Sequence, residues 1–301
     1  MGGATTLRDI RPFLYRLFSD KEILPMPALL RMPLAWAIAH IRYHFVKGAY
    51  EKIGGSPLLE MTKQQAAALE YSLREDGINA KVELGMRYCS PFIHEAVERF
   101  ESEGVKRAVA LTLYPQYSAA TAGSCFIALK NALVGSSLKV DNILHWHTHP
   151  LFVEAWADSI VKTLKGKTPN HILFSAHSLP MRVVKQGDPY PQQVEETVKA
   201  IMNKIGSFPY SLAYQSKVGP VKWLGPSVES EILRLAQEGV CSLVLVPISF
   251  VSEHFETLYE MDVLFREAAE GMDIRSFVRV PSLNLHPCLI RTWKELILER
   301  V

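Results

Sequence analysis

CSLVLVPISF, residues 241–250, is apolar without a break from Leu243 to Ile248, and this run decides the fold class. A strand with one wet face alternates polar and apolar residues, whereas a strand covered on both faces has no reason to. Helices above and below a parallel sheet supply such cover. Outward from this run, further short apolar stretches lie at 105–113, 140–145, 171–176, 212–214 and 274–280. Amphipathic stretches of helical length separate them, at 92–103, 152–165, 193–205, 228–237 and 255–270. Strands alternating with helices predict an α/β fold with right-handed crossovers. A chain of 301 residues suits two domains of about 150 residues each. The spacing puts the break near His149-Pro150, giving domains 1–150 and 151–284, with a closing helix in 285–301.

Composition excludes several classes. Hydrophobic residues make up 48% and charged residues 21%, ordinary values for a protein with a sizeable core. Lys plus Arg at 33 against Asp plus Glu at 31 leaves a net charge of +2. No field of one sign invites nucleic acid, and no nucleic-acid motif occurs. Cys89, Cys125, Cys241 and Cys288 form no CxxC pair, which suggests single thiols in a reducing compartment. Residues 1–9 lack the apolar run of a signal peptide, so a cytoplasmic protein is expected.

Residues 24–46, LPMPALLRMPLAWAIAHIRYHFV, are rich in apolar and aromatic groups. The stretch between Arg31 and Arg42 is ten residues, against about 20 needed to span a bilayer. The residues leave three readings open: a core helix, a lip over an apolar ligand, or an interfacial membrane contact.

Two strand ends carry candidate chemistry. HILFSAHSLP, 171–180, reads as a buried strand stopped by Pro180, with His177 at its carboxyl end. Ligands of open α/β sheets bind there, and imidazole at that place can take a proton or ligate a metal. After the 241–250 run come Glu253, His254, Glu256 and Glu260, at the start of a helix for which Ser252 is the expected cap. At i and i+3 on an α-helix, Glu253 and Glu256 would share one face. Imidazole with carboxylate suits divalent iron or zinc. The run His145-Trp146-His147-Thr148-His149 would set three imidazoles on one strand face, in the manner of a zinc hydrolase, yet Pro150 follows at once and no acidic ligand stands at a suitable spacing. No GxSxG, GxGxxG or GxxxxGK[ST] motif is present.

The stretches RPFLYRLFSD (11–20), IGGSPLLEMT (53–62), LYPQYSAATAGS (113–124), FSAHSLP (174–180), YQSKVGPVKWLGPS (214–227) and FVSEHFETLYEMD (250–262) resemble, in the same order, those of the ferrochelatase family. The resemblance implies two similar Rossmann-like domains, a porphyrin cleft between them, and insertion of Fe2+ into protoporphyrin IX. It puts His177 and Glu256 at the metal, with Glu253 and His254 in an acidic surround. By the same resemblance Arg87, Tyr88, Ser216, Lys217 and Trp223 line the cleft, Ser56 lies near a propionate, and His149 matches a further family histidine. The 24–46 segment becomes a lip with peripheral membrane contact, in place of a core helix.

Iron is then a substrate and no cofactor is implied. A [2Fe–2S] cluster needs four thiolates, and no cysteine follows Cys288, so no cluster is expected. TLYPQYSAAT is similar to the protoporphyrin-using branch, with coproporphyrin III as the alternative substrate. The family opens with an apolar strand ending in N-[LM]-G-G-P; Met1-Gly2-Gly3 falls inside that motif, so the strand is expected to be missing from residues 1–301. The rival functions are a zinc hydrolase built on the HxHxH run, a porphyrin-binding module without turnover, and a chelatase for another tetrapyrrole.

Overall fold

The computed structural model describes residues 1–165, 169–217, 219 and 221–301. Helices α1 (Leu7–Phe18), α2 (Ala28–Ile53), α3 (Leu58–Glu75) and α4 (Ile93–Ser102) precede strand β1 (Arg107–Leu111). A short π-helical turn, Ala119–Gly123, leads into α5 (Ser124–Ala132), β2 (Lys139–Ile143) and α6 (Pro150–Leu164). Then follow β3 (His171–His177), α7 (Met181–Lys185), α8 (Tyr190–Ile205), β4 (Tyr210–Gln215), α9 (Val228–Gln237) and β5 (Ser242–Val246). A ten-residue π-helix, Glu256–Phe265, runs on into α10 (Arg266–Glu270), β6 (Ser276–Arg279) and α11 (Pro287–Leu298). The chain forms two units: Met1–Thr112 with Ser118–Leu144 and Lys294–Val301, and Leu113–Tyr117 with His145–Trp293.

In the second unit the sheet order is β4-β3-β5-β6, all parallel. Ile172, Leu173, Phe174, Ala176, Leu243, Leu245 and Val246 are fully buried, as two-sided cover requires. Leu173, Leu243 and Leu245 join a core with Ile232 and Leu235 of α9, Met261 and Phe265 of the π-helix, and Phe277 of β6. Alternation turns Ile172 and Phe174 to the opposite face, and α6 and α8 pack against each other. The apolar run 241–250 is strand only to Val246, because Pro247 has no N–H to continue a ladder. The chain leaves β3 toward β4 on one side and returns to β5 on the other. That reversal makes the carboxyl end of β3 a topological switch point, the place where such sheets leave a crevice for ligands.

In the first unit β1 and β2 pair in parallel, from Arg107 opposite Lys139 to Leu111 opposite Ile143. Residues 78–85 form no strand, and β1 has a strand partner on one side only among the described residues. Helix α2 reverses the ordinary pattern of burial. Its small residues Ala35, Ala39 and Ala49 are inside, while Leu29 is 89% exposed, Trp36 58% and Phe45 80%. The core-helix reading of 24–46 therefore fails, since burial of these side chains is what would define it. Among the described residues no helix is long and apolar enough to cross a membrane.

Two expectations about local structure are corrected. The histidine run lies beyond the end of β2 at Ile143, in the turn before α6, so its imidazoles do not share a strand face. The segment 255–270 is not one α-helix, and Ser252 is not its cap; the π-helix begins after Phe255.

Candidate functional site

His177 ends β3, half-buried, with its backbone N–H donating to Ser249 Oγ at 3.0 Å. Its Nδ1 lies 2.7 Å from the carbonyl oxygen of Ser178. A carbonyl can only accept, so Nδ1 carries the proton and Nε2 of the neutral ring carries the lone pair. The side chain is thus held in the tautomer that can accept a proton or bind a metal through Nε2. Phe250 stands edge-on to the ring, 6.2 Å between centroids, and its own ring also contacts His254 at 4.4 Å.

His254 donates from Nδ1 to the Ser252 carbonyl at 3.1 Å, which leaves its Nε2 unprotonated in the neutral ring. Burial holds its pKa below the usual imidazole value, although Glu256 and Glu253 pull the other way. This Nε2 lies 3.1 Å from Glu256 Oε2 without the alignment of a hydrogen bond. A lone pair and a carboxylate oxygen at that separation repel unless a proton or a metal cation mediates between them. The pair is a candidate contact for a divalent cation.

Glu253 does something else. Burial would raise its pKa, but the Arg279 guanidinium 2.8 Å away, Thr257 Oγ1 and the Ser282 N–H hold the carboxylate below its usual range. It precedes the π-helix and shares no helix face with Glu256, contrary to the α-helical spacing argument.

The family resemblance assigns Glu260 no role, yet it belongs with these groups. Glu260 lies four residues after Glu256 on the π-helix, near enough for the Glu256 charge to act on it. Its Oε2 accepts from Ser216 Oγ at 2.7 Å and from Gln215 Nε2 at 3.0 Å. Burial first, then the charge of Glu256, push its pKa up to about 7. Ser175 Oγ donates to Gln215 Oε1, so a polar chain runs from the interior of β3 to Glu260. Sequence spacing alone offers no sign of the π register.

Ser216 adopts φ +65°, a left-handed conformation that costs an L-residue about 1–2 kcal/mol, and this turn directs its hydroxyl to Glu260. Lys217 beside it is exposed. Val218 and Pro220 of the same motif lie outside the described residues. The chain returns to the segment after His177, where Leu224 N donates to Leu179 O and Met181 N to Lys222 O, both at 2.8 Å. Trp223 is carried there, its indole N–H buried without a partner among the described residues. His149 sits at the start of α6, while His147 binds Glu196 at 2.8 Å. Among the described residues no three His, Cys, Asp or Glu side chains converge on a preformed metal site.

The first unit holds the other candidates. Asp20 Oδ2 accepts from Arg87 Nη2 at 2.7 Å, Tyr88 OH at 2.7 Å and Ser124 Oγ at 3.0 Å. Burial would raise the Asp20 pKa, but these donors and the Glu22 N–H bring it below the usual value. Tyr88 is 1% exposed with its hydroxyl committed to Asp20, whereas the Arg87 side chain remains 26% exposed. Arg87 is therefore the group able to meet a ligand, and Tyr88 and Asp20 hold it in place. A cavity of about 660 Å³ opens beside it, lined also by Tyr15, Arg16, Met32 and Phe92. Ser56 is buried beneath Gly3, where an added Cβ would lie 3.4 Å from its hydroxyl. Its neighbour Gly55 has φ +96°, and a Cβ there would fall 2.3 Å from the Thr5 carbonyl, so only glycine fits.

A family model described as Ferrochelatase matches residues 1–301. The chain is 44% identical over 305 residues to a protein of Aquifex aeolicus named Ferrochelatase, covering 100% of this chain and 97% of that one. It is 44% identical over 311 residues to a Synechocystis protein of the same name, covering 99% of this chain and 80% of its relative. Among solved structures, SirB from Bacillus subtilis with Fe3+ superposes with a TM-score of 0.59 at 12% identity, over 79% of this chain and 89% of that one. SirB in complex with cobalt, described as a sirohydrochlorin chelatase, gives 0.54 at 14% identity over 79% and 88%. At those identities the structural likeness concerns the fold alone.

Proposed function

Because the chain belongs to the ferrochelatase family, whose members insert a metal ion into a porphyrin, we propose that it inserts Fe2+ into protoporphyrin IX, with His177 and Glu256 meeting the metal. What supports this is the presence of two prepared acceptors in the second unit, Nε2 of His177 and the Glu256 carboxylate beside Nε2 of His254, with the Phe250 ring touching both histidines. Insertion removes two pyrrole protons and replaces water on a divalent ion with ring nitrogens. His177 takes the two pyrrole protons through Nε2 one after the other, releasing the first to solvent before it accepts the second. Glu256, with His254, displaces water from the arriving ion and passes it on. Glu260, poised near neutrality, holds or releases a proton next to that step. Arg87 would meet a propionate, and its cavity in the first unit has the volume of a binding site for part of a flat ligand.

The substrate assignment rests on TLYPQYSAAT, residues 112–121. An anaerobic assay with ferrous iron should show a higher kcat/KM for protoporphyrin IX than for coproporphyrin III. The opposite preference would overturn it, and absence of insertion with either would overturn the function.

The lip of the proposal is α2. Its exposed Leu29, Leu30, Trp36, Ile41 and Phe45, among Arg31, Arg42 and Lys47, have the make-up of an interfacial helix. The protein should float with anionic vesicles, with a blue shift in fluorescence that Trp36→Tyr removes, and Phe45→Glu should abolish flotation. Flotation unaffected by Phe45→Glu would remove α2 from membrane contact.

A further inference from the structure

Strand β5 ends at Val246, just before Pro247, yet the register it sets with β3 can be carried on. His171 stands opposite Leu243 and Phe174 opposite Val246, so continuation places His177 opposite Ser249. In a parallel ladder alternate residues of a strand address a given neighbour. Ser175 addresses the β5 side, its carbonyl accepting from Ile248 N–H at 3.0 Å. The next rung on that side belongs to His177 N–H, and in an unbroken ladder a backbone carbonyl would accept it.

The chain after β5 turns instead of supplying that carbonyl. Ile248 N–H donates to Val246 O and Phe250 N–H to Pro247 O, each at 3.0 Å. Ser249 fills the place from its side chain, with Oγ accepting from His177 N–H at 3.0 Å. Ser249 is buried, so water competes little for this bond. On the β4 side Ser178 N–H donates to Gln215 O at 2.9 Å, and Ser178 Oγ donates to Leu224 O at 2.8 Å. His177 and Ser178 are thereby tied from both sides. The Ser178 carbonyl, which takes the His177 Nδ1 proton, is held where it fixes the ring. Tyr190, buried at the start of α8, turns its hydroxyl to the Ser249 hydroxyl and the His177 N–H, and burial raises its pKa so that it stays a neutral phenol.

We propose that Ser249, braced by Tyr190, is a positioning residue for metal insertion: its hydroxyl replaces a rung of the sheet and fixes the backbone from which His177 presents Nε2. The donor is satisfied while the chain turns off toward Phe250, whose ring meets the imidazole. Ser249 itself acts through His177 and touches neither substrate. Without its hydroxyl the His177 N–H loses its acceptor, the strand end shifts, and the bond from Nδ1 to the Ser178 carbonyl is loosened.

The inference rests on the proposed metal insertion, and a readout that needs no turnover separates the two. In resting, isotope-labelled protein the NMR signals of the His177 ring nitrogens, identified by their loss in His177→Ala, should report a protonated Nδ1 and a bare Nε2. Ser249→Ala should move both signals toward a mixture of tautomers. In the insertion assay it should lower kcat about tenfold or more, the effect typical of losing a group that orients a functional histidine, with KM for iron and porphyrin within about twofold. In a His177→Ala background the same substitution should leave the residual rate within about twofold, because its effect passes through the ring. Unchanged ring signals or unchanged kcat in folded Ser249→Ala, or an equal loss in the His177→Ala background, overturns the proposal. If Ser249→Ala does not fold, Tyr190→Phe, which keeps the ring and removes the brace, decides through the same signals and kcat. If the wild-type protein inserts no metal, the function falls and the ring signals alone decide the inference.

Discussion

His177→Ala is expected to lower kcat for metal insertion by about 10²–10⁴-fold, the usual worth of a positioned acid–base group. The backbone at this position is held independently of the ring. His177 N–H bonds to Ser249 Oγ, and Ser178 N–H bonds to Gln215 O at 2.9 Å. Removing the imidazole therefore deletes the Nε2 acceptor without unravelling the end of β3. Porphyrin binding, followed by quenching of intrinsic fluorescence, should change little, which separates lost chemistry from lost affinity. A variant that inserts iron at the wild-type rate would remove His177 from the reaction.

Glu260→Gln should have the second large effect, in opposite directions on stability and activity. Burial and the Glu256 charge raise the Glu260 pKa from 4.5 to about 7, despite hydrogen bonds from Ser216 and Gln215 that favour ionisation. Between those two values the folded protein binds a proton that the unfolded chain has released. Stability contributed by this group is thus complete below pH 4.5 and is lost as pH rises through about 7. At about 1.4 kcal/mol per pH unit, the ionised Glu260 disfavours the folded state by roughly 3 kcal/mol above neutrality. Glutamine cannot ionise, so the variant should be more stable at about pH 8.5 by up to about 3 kcal/mol, less whatever the Gln215 amide loses opposite a new amide. The advantage should disappear by pH 4.5, the unshifted value. Denaturant titrations at the two pH values measure this directly. Insertion by the variant should fall roughly tenfold or more, since a proton-carrying group beside the metal is gone. A variant less stable than wild type at the alkaline pH would contradict the raised pKa.

The residues that assemble this site are legible to different degrees. His177 can be placed from sequence because strand ends follow from local patterning. HILFSA is nearly all apolar, Pro180 stops the strand, and parallel sheets present ligands at that end. The same reasoning fails for the 255–270 segment. Its apolar spacing fits a helix, but π and α registers differ by one hydrogen-bond step and share nearly the same side-chain preferences. Spacing consequently sets Glu253 and Glu256 on one helix face, whereas Glu253 lies before the π-helix and is taken by Arg279. Asp20 escapes notice for a related reason. Its partners Arg87, Tyr88 and Ser124 are 67, 68 and 104 residues away, and no local pattern encodes such distances.

The histidine run shows how far periodicity misleads at a strand end. HxHxH promises three imidazoles on one face only while the backbone stays extended, and β2 has ended at Ile143 before the first of them. His147 is instead buried against Glu196, with its pKa lowered by burial. Helix α2 makes the converse point. Its composition leaves core, lip and membrane contact open, because composition does not say which face a helix turns outward. Packing through small alanines turns its large side chains out.

By itself, then, the sequence determined the α/β class, the strand carrying His177 and, through its motifs, the family. These depend on hydrophobic period and on short contiguous strings, both of which are local. Tertiary structure decided which ionisable groups face one another, and with that their chemistry. The tautomer of His177, the near-neutral pKa of Glu260 and the ion pair of Arg279 with Glu253 all arise from burial and from the partners that folding brings to each group. Electrostatic effects depend on distance through a low-dielectric interior, and only the folded chain sets those distances.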